Sequence, residues 1–172
     1  VVDRATGGVS HLVFRQLPEA LLPGDCLVIN ETRVLPARLH GFLEGTQRKV
    51  EILLLRPEAA PMTWQALVKP GRRLRPGTIV AIPPAPEEKS ADGPGQAEAI
   101  RATVLARHAD GRASVGFTGI GEAGLRSYLW RHGEMPTPPY IKKALMDPEQ
   151  YQTIYSRVEG SVAAPTAGLH FT

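Results

Sequence analysis

The feature that most limits this fold lies between Val50 and Phe117, where short strand-like runs follow one another without an intervening helical period. Val50-Glu51-Ile52-Leu53-Leu54, Thr63 to Val68 and Thr78 to Ile82 are three such runs. Ile100, Ala102, Val104 and Ala106 alternate with Arg101, Thr103, Leu105 and Arg107, the period of two that gives a strand a largely apolar face. Asp110-Gly111 is a hairpin signal, because both residues tolerate the positive φ of a tight turn, and Ala113 to Phe117 returns as the partner strand. Strands at this spacing predict a small antiparallel β-barrel, bounded at residues 38–118. The segment 83–97, rich in Pro, Glu, Ala and Gly, is expected to be a loop insert within it.

The flanks read differently. Ala5-Thr6-Gly7-Gly8 is a hairpin connection, and Leu17 to Leu22 is a helical turn stopped by Pro23-Gly24. Asp25 to Asn30 reads as a short buried strand with Cys26 inside it. Its polar end, Asn30-Glu31-Thr32-Arg33, falls where open α/β sheets place ligands. After the barrel, Gly121 to His132 has helical spacing with Leu125, Tyr128 and Leu129 on one side, and Gly133 suits the C-terminal cap. Asp147-Pro148-Glu149 opens a short helix, with Asp as N-cap and Pro at the first position. The expected architecture is an α/β (α+β) large domain carrying an inserted small antiparallel β-barrel. Residues 1–37 form the first part of the large domain, and 119–172 form a connecting helix and the return to it. The active-site cleft is expected where the two bodies meet. Both ends read as cut, so the large domain is expected to be incomplete here.

Composition narrows the function classes. Twenty Lys and Arg against seventeen Asp and Glu give a net charge of +3, only weak support for a polyanionic partner. Lys69, Arg72, Arg73 and Arg75 form a basic cluster that either faces phosphates or is a solvated loop. One cysteine excludes an internal disulfide and any Cys-based zinc site. Apolar runs fall far short of the ~20 residues of a membrane span, so a soluble, cytoplasmic protein is expected; a monomer is expected as well. No Gly-rich phosphate loop, metal-spaced histidine pair or Gly-x-Ser-x-Gly elbow occurs, and His11, His40, His108 and His132 stand isolated. No metal is expected.

Two stretches carry candidate chemistry. In Asn30-Glu31-Thr32-Arg33-Val34-Leu35-Pro36-Ala37-Arg38, the charges of Glu31, Arg33 and Arg38 crowd beside apolar residues, where an unpaired charge is costly. They either pair with one another or face a ligand. In Ala163-Ala164-Pro165-Thr166-Ala167-Gly168-Leu169-His170-Phe171, small residues let backbone approach a ligand and His170 could act as acid or base. The same stretch also reads as a junction with a capping Thr166 and a satisfied core histidine.

These residues carry a family resemblance. Gly24-Asp25-Cys26-Leu27-Val28-Ile29-Asn30-Glu31-Thr32-Arg33-Val34-Leu35-Pro36-Ala37-Arg38-Leu39 resembles the first signature of the S-adenosylmethionine:tRNA ribosyltransferase-isomerases. Gly133-Glu134-Met135-Pro136-Thr137-Pro138-Pro139-Tyr140-Ile141 resembles their second. Tyr151-Gln152-Thr153-Ile154-Tyr155-Ser156, with Gly160 to Phe171, resembles their third. The resemblance implies a queuosine-biosynthesis enzyme that transfers and isomerises the ribosyl group of S-adenosylmethionine onto the aminomethyl-deazaguanine at the wobble position of tRNA. Epoxyqueuosine forms, while adenine and methionine leave.

S-adenosylmethionine is then a cosubstrate, with no cofactor, and precursor-bearing tRNA is the partner. His170, Glu31 and Arg33 become the catalytic candidates. Asn30, Thr32, Arg38, Tyr140, Thr166, Ala167 and Gly168 become substrate-binding candidates, and Lys69, Arg72, Arg73 and Arg75 tRNA-binding candidates. Members of the family run on past the third signature, so this piece alone is expected to be inactive. The competing readings are a non-catalytic RNA-binding barrel and a degenerate member that keeps only the fold.

Overall fold

Val50, Ile52 and Leu54 turn inward at alternate positions of one strand, and that alternation repeats around a closed ring. The computed structural model describes residues 1–71, 74–84, 100–141, 143 and 145–172. Its strands are β1 (Thr32–Val34), β2 (Arg38–Leu43), β3 (Lys49–Pro57), β4 (Thr63–Lys69), β5 (Ile79–Ile82), β6 (Ile100–Arg107), β7 (Ala113–Thr118) and β8 (Val158–Ser161). One α-helix, α1, spans Glu122–His132. The barrel runs β2-β3-β4-β7-β6-β5, every neighbour antiparallel, and closes where Phe42 and Leu43 pair with Ala81 and Val80. Closure leaves no open sheet edge.

The barrel core mixes sizes. Leu54, Val80 and Val115 lie beside Ala66, Ala102 and Ala113, all fully buried, as a narrow interior requires. At the seam a Cβ on Gly41 would stand 2.6 Å from the Ala81 carbonyl oxygen, so only glycine lets β2 reach β5. Gly111 turns the β6–β7 hairpin at φ 88°. Leu125 and Leu129 on one face of α1 pack with Leu35 against the barrel core.

Gly133 does cap α1, its N–H donating to the Leu129 carbonyl at 2.8 Å, but its φ of −74° is not left-handed. Its glycine is needed for space, because a Cβ would strike the Pro36 carbonyl oxygen.

Outside the barrel, β1 and β8 form a parallel two-stranded ribbon, and 3₁₀ turns span Phe14–Ala20, Pro148–Tyr151 and Thr166–His170. A second small core gathers Val34, Met135, Tyr151 and Ala164 beneath it. The N-terminal hairpin is a tight turn with one bridge, Val2 to Val9. The short helix expected from Asp147 through Tyr151 and Tyr155 is a 3₁₀ turn that ends at Tyr151, its expected cap present, with the Asp147 carboxylate accepting from Glu149 N–H at 2.9 Å.

The buried strand expected over 25–30 is absent, and Cys26 is exposed rather than buried. A run of apolar residues becomes a strand only where a partner meets its backbone groups. Here β8 pairs instead with Thr32–Val34, leaving residues 21–30 exposed, Val28 by 87%. The expected insert lies outside the described residues from position 85 onward. Among the described residues, no helix is long and apolar enough to cross a membrane.

Candidate functional site

β1 is the meeting point of segments far apart in sequence. On one side it pairs with β8, and the Glu31 carbonyl accepts from the N–H groups of Arg157 (2.8 Å) and Val158 (3.2 Å). Gln152 bonds the backbone of Val34. Four residues further on, at the start of β2, Arg38 and Glu134 exchange backbone hydrogen bonds of 3.1 and 2.9 Å. The blocks 24–39, 133–141 and 151–171 therefore meet along one stretch of chain, from β1 to the start of β2.

Glu31 and Arg33 do not pair with each other; each finds a partner in the segment 149–157. Arg33 presents its fork to the Glu149 carboxylate, with Nη1 donating to Oε2 at 3.3 Å and Nη2 pairing with Oε1. Nη1 also donates to Ser156 Oγ at 3.2 Å, and the guanidinium lies 5.2 Å from the Trp130 ring centroid. A planar cation held on three sides is fixed in orientation. The Glu31 carboxylate pairs with Arg157 at 2.8 Å. Asn30 Oδ1 accepts from Thr32 N–H at 3.0 Å, a local turn that sets the entry to β1.

Arg38 borders a concavity of about 350 Å³, shared with Thr137 and Lys143. Its Nε is buried without a hydrogen bond and stands 3.9 Å from Glu51. Tyr140 is 77% exposed.

Thr166, Ala167 and Gly168 begin the 3₁₀ turn that ends at His170. Gly168 is buried, and a Cβ there would strike Tyr155 Oη and stand 2.8 Å from Thr153 Cγ2. His170 is exposed and stacks on Phe14, with ring centroids 5.3 Å apart; Phe171 meets Phe14 and Tyr155 edge-on. Among the described residues no hydrogen bond or ion pair joins His170 to Glu31 or Arg33. Lys69 pairs with Glu51 at 3.2 Å, and Arg75 is exposed. Arg72 and Arg73 lie outside the described residues.

Sequence reasoning missed Glu149, Trp130 and the polar work of Gln152 and Ser156. Gln152 and Ser156 stood inside the third block, where a polar residue among apolar neighbours was the available signal. Glu149 and Trp130 carried none, because their role exists only once Arg33 reaches them. Among the described residues no cluster of His, Cys, Asp or Glu is arranged to hold a metal ion.

A family described as queuosine biosynthesis protein matches residues 1–172. Similar proteins named S-adenosylmethionine:tRNA ribosyltransferase-isomerase include that of Dehalococcoides mccartyi (strain CBDB1), 43% identical over all of this chain and 46% of its own length. Those of Desulfitobacterium hafniense (strain DSM 10664 / DCB-2) and Clostridium kluyveri (strain ATCC 8527) are 47% and 45% identical over the same shares. A crystal structure of S-adenosylmethionine tRNA ribosyltransferase from Thermotoga maritima is 29% identical, covers 77% of this chain and 39% of that one, and superposes with a TM-score of 0.41. The chain spans about half the length of the curated relatives it matches.

Proposed function

The chain belongs to the queuosine biosynthesis protein family, and on that premise we propose that the protein is an S-adenosylmethionine:tRNA ribosyltransferase-isomerase. It moves and isomerises the ribosyl group of S-adenosylmethionine onto the aminomethyl-deazaguanine at the tRNA wobble position. The product is epoxyqueuosine, and adenine and methionine are released. The observation that carries this reading is the meeting of the three signature blocks along residues 31–38, from β1 to the start of β2, through Arg38–Glu134, Val34–Gln152 and the β1–β8 ladder.

The chemistry asks for groups of the types that these blocks carry. The sulfonium acidifies the adjacent ribose 5′ carbon, so a base must take a proton from it, and adenine leaves more readily when protonated. Glu31 and His170 are the candidates for these transfers. Arg33, pre-oriented by Glu149 and Ser156, is suited to a carboxylate or a developing negative charge. Asn30, Thr32, Arg38, Tyr140 and the Thr166–Gly168 turn are the proposed substrate contacts. Lys69 and Arg75, with Arg72 and Arg73, are the proposed tRNA phosphate contacts. S-adenosylmethionine serves as cosubstrate without a cofactor, and the protein works as a cytoplasmic monomer.

The test is adenine release from S-adenosylmethionine by the full-length protein, followed by chromatography. Release is expected with precursor-bearing tRNA and not with precursor-free tRNA. Equal release from both would refute the coupled transfer.

A further inference from the structure

The concavity of about 350 Å³ that Arg38 borders is lined by the start of β2 and by residues between 133 and 148. Its charged lining is Arg38, Lys143 and Glu134. Glu134 is already engaged, its carboxylate pairing with His40 Nε2 at 3.1 Å. The two cations are not. Arg38 keeps a buried Nε without a hydrogen-bond partner, and Glu51 stands 3.9 Å from it on an oxygen shared with Lys69 at 3.2 Å. One carboxylate between two cations leaves positive charge in excess. Lys143 is exposed and, among the described residues, forms no ion pair. A buried donor left without a partner is costly, and an acceptor on a ligand removes that cost.

Thr137 adds a hydroxyl to the two cations, and Ile141, Leu145 and Pro148 make the rest of the lining apolar. Cations and a hydroxyl suit a phosphate, and the apolar remainder suits the sugar attached to it. The surroundings extend in two directions. On the barrel, His40, Glu51 and Lys69 lie directly opposite one another on β2, β3 and β4, so Lys69, one of the proposed tRNA contacts, shares Glu51 with Arg38. On the other side, Pro148 precedes Glu149, which holds Arg33. We infer that this concavity seats one backbone phosphate of the tRNA, with Lys143 and Thr137 as contacts beside Arg38, an assignment that rests on the functional reading above. A phosphate held there places the strand between Lys69 and Arg33.

Equilibrium binding of tRNA to the full-length protein, measured across salt concentrations, tests this. Lys143 is exposed and belongs to neither core, so it can be changed without disturbing them. Losing one phosphate contact should reduce the slope of log affinity against log salt by about 0.7–0.9, roughly a 5- to 8-fold loss at 0.1 M relative to 1 M salt. Lys143→Gln is expected to show both effects and Lys143→Arg neither. The loss should be equal for precursor-bearing and precursor-free tRNA, because a phosphate contact carries no base information. Thr137→Val removes a neutral hydroxyl and should weaken tRNA roughly 2- to 10-fold at an unchanged slope. Wild-type slope and affinity in a folded Lys143→Gln variant would overturn the assignment. So would a loss confined to precursor-bearing tRNA, which would mark a base contact. Weakened S-adenosylmethionine binding in calorimetry, with tRNA binding intact, would overturn it too and mark a carboxylate seat. If the slope is unchanged while precursor-dependent adenine release persists, the seat falls and the functional reading stands. If the slope drops as expected but the wild type never releases adenine, the seat stands and the functional reading falls.

Discussion

The side-chain amide of Gln152 closes both backbone hydrogen bonds of Val34, its Oε1 accepting from Val34 N–H at 2.9 Å and its Nε2 donating to Val34 O at 2.8 Å. Val34 is 0% exposed, so water cannot replace either bond. A side chain thus serves β1 as a second neighbouring strand would, opposite the ladder with β8.

Removing that amide should be costly. Gln152→Ala leaves one donor and one acceptor buried without partners, and each such group costs about 1–3 kcal/mol. The expected loss is about 2–4 kcal/mol, read from urea unfolding midpoints at an unchanged slope. A loss under about 0.5 kcal/mol would mean that water or a local shift satisfies Val34.

Arg33 should matter far more to turnover than to stability. Its partner Glu149 is 56% exposed, and exposed pairs contribute about 0–1 kcal/mol. A lysine keeps the charge but cannot hold both Glu149 oxygens and Ser156 while lying over Trp130. Arg33→Lys in the full-length protein is therefore expected to unfold within about 1 kcal/mol of wild type while adenine release falls at least about tenfold. Wild-type turnover would show that the fork is structural only.

Gly168 allows a test by rescue. A methyl group there collides with Tyr155 Oη and crowds Thr153, so Gly168→Ala should cost about 1–3 kcal/mol, as overpacking does. Deleting the hydroxyl relieves one of the two collisions. The same substitution in a Tyr155→Phe background should cost measurably less, and an identical cost in both backgrounds would show that the clash lies elsewhere.

The Arg112 side chain, with Nε donating at 2.5 Å to its carboxylate, pulls the Asp110 carboxyl down from the ordinary 3.8 to about 2. Arg112 N–H adds a backbone donor at 3.0 Å. A depressed folded-state value stabilises the fold above the unfolded value, and that contribution fades as pH falls from about 4 towards 2. Arg112→Met should raise the Asp110 midpoint towards 3.8 in a carboxyl NMR titration. An unmoved midpoint would assign the depression to the backbone donor alone.

The parts of the fold legible in the sequence are those that local chemistry decides. Asp110-Gly111 dictates the β6–β7 hairpin, Leu125 and Leu129 mark the buried face of α1, and Asp147 caps the turn at Pro148. Strand β2 was not legible as a strand. Its residues read as the end of a motif, and only pairing with both β3 and β5 makes them the closing strand. Over 25–30, hydrophobicity indicated burial, yet the ladder forms with Thr32–Val34 instead. The candidate site shows the same division. Its blocks were visible, but Arg33–Glu149 spans 116 residues and Val34–Gln152 spans 118, and only the folded chain reveals such partners.

His170 offers the sharpest division between a structural and a catalytic histidine. The ring is exposed, stacks on Phe14 at 5.3 Å and ends a 3₁₀ turn whose tight packing comes from Gly168 rather than from the imidazole. An aromatic stack of this kind contributes about 0.5–1.5 kcal/mol, and burial adds little for an exposed side chain. Replacing the ring should therefore leave the fold nearly as stable as before. A general acid or base, by contrast, contributes about 10²- to 10⁴-fold to rate. His170→Asn in the full-length protein is expected to unfold within about 1.5 kcal/mol of wild type while single-turnover adenine release falls about 10²- to 10⁴-fold. Phe14→Leu serves as the control, since it removes the same stack and keeps the imidazole. It should match the stability change and retain most of the rate. Should both variants lose activity equally, the histidine acts through the stack and not through its nitrogens. A destabilised His170→Asn variant that still turns over at the wild-type rate would make the residue structural.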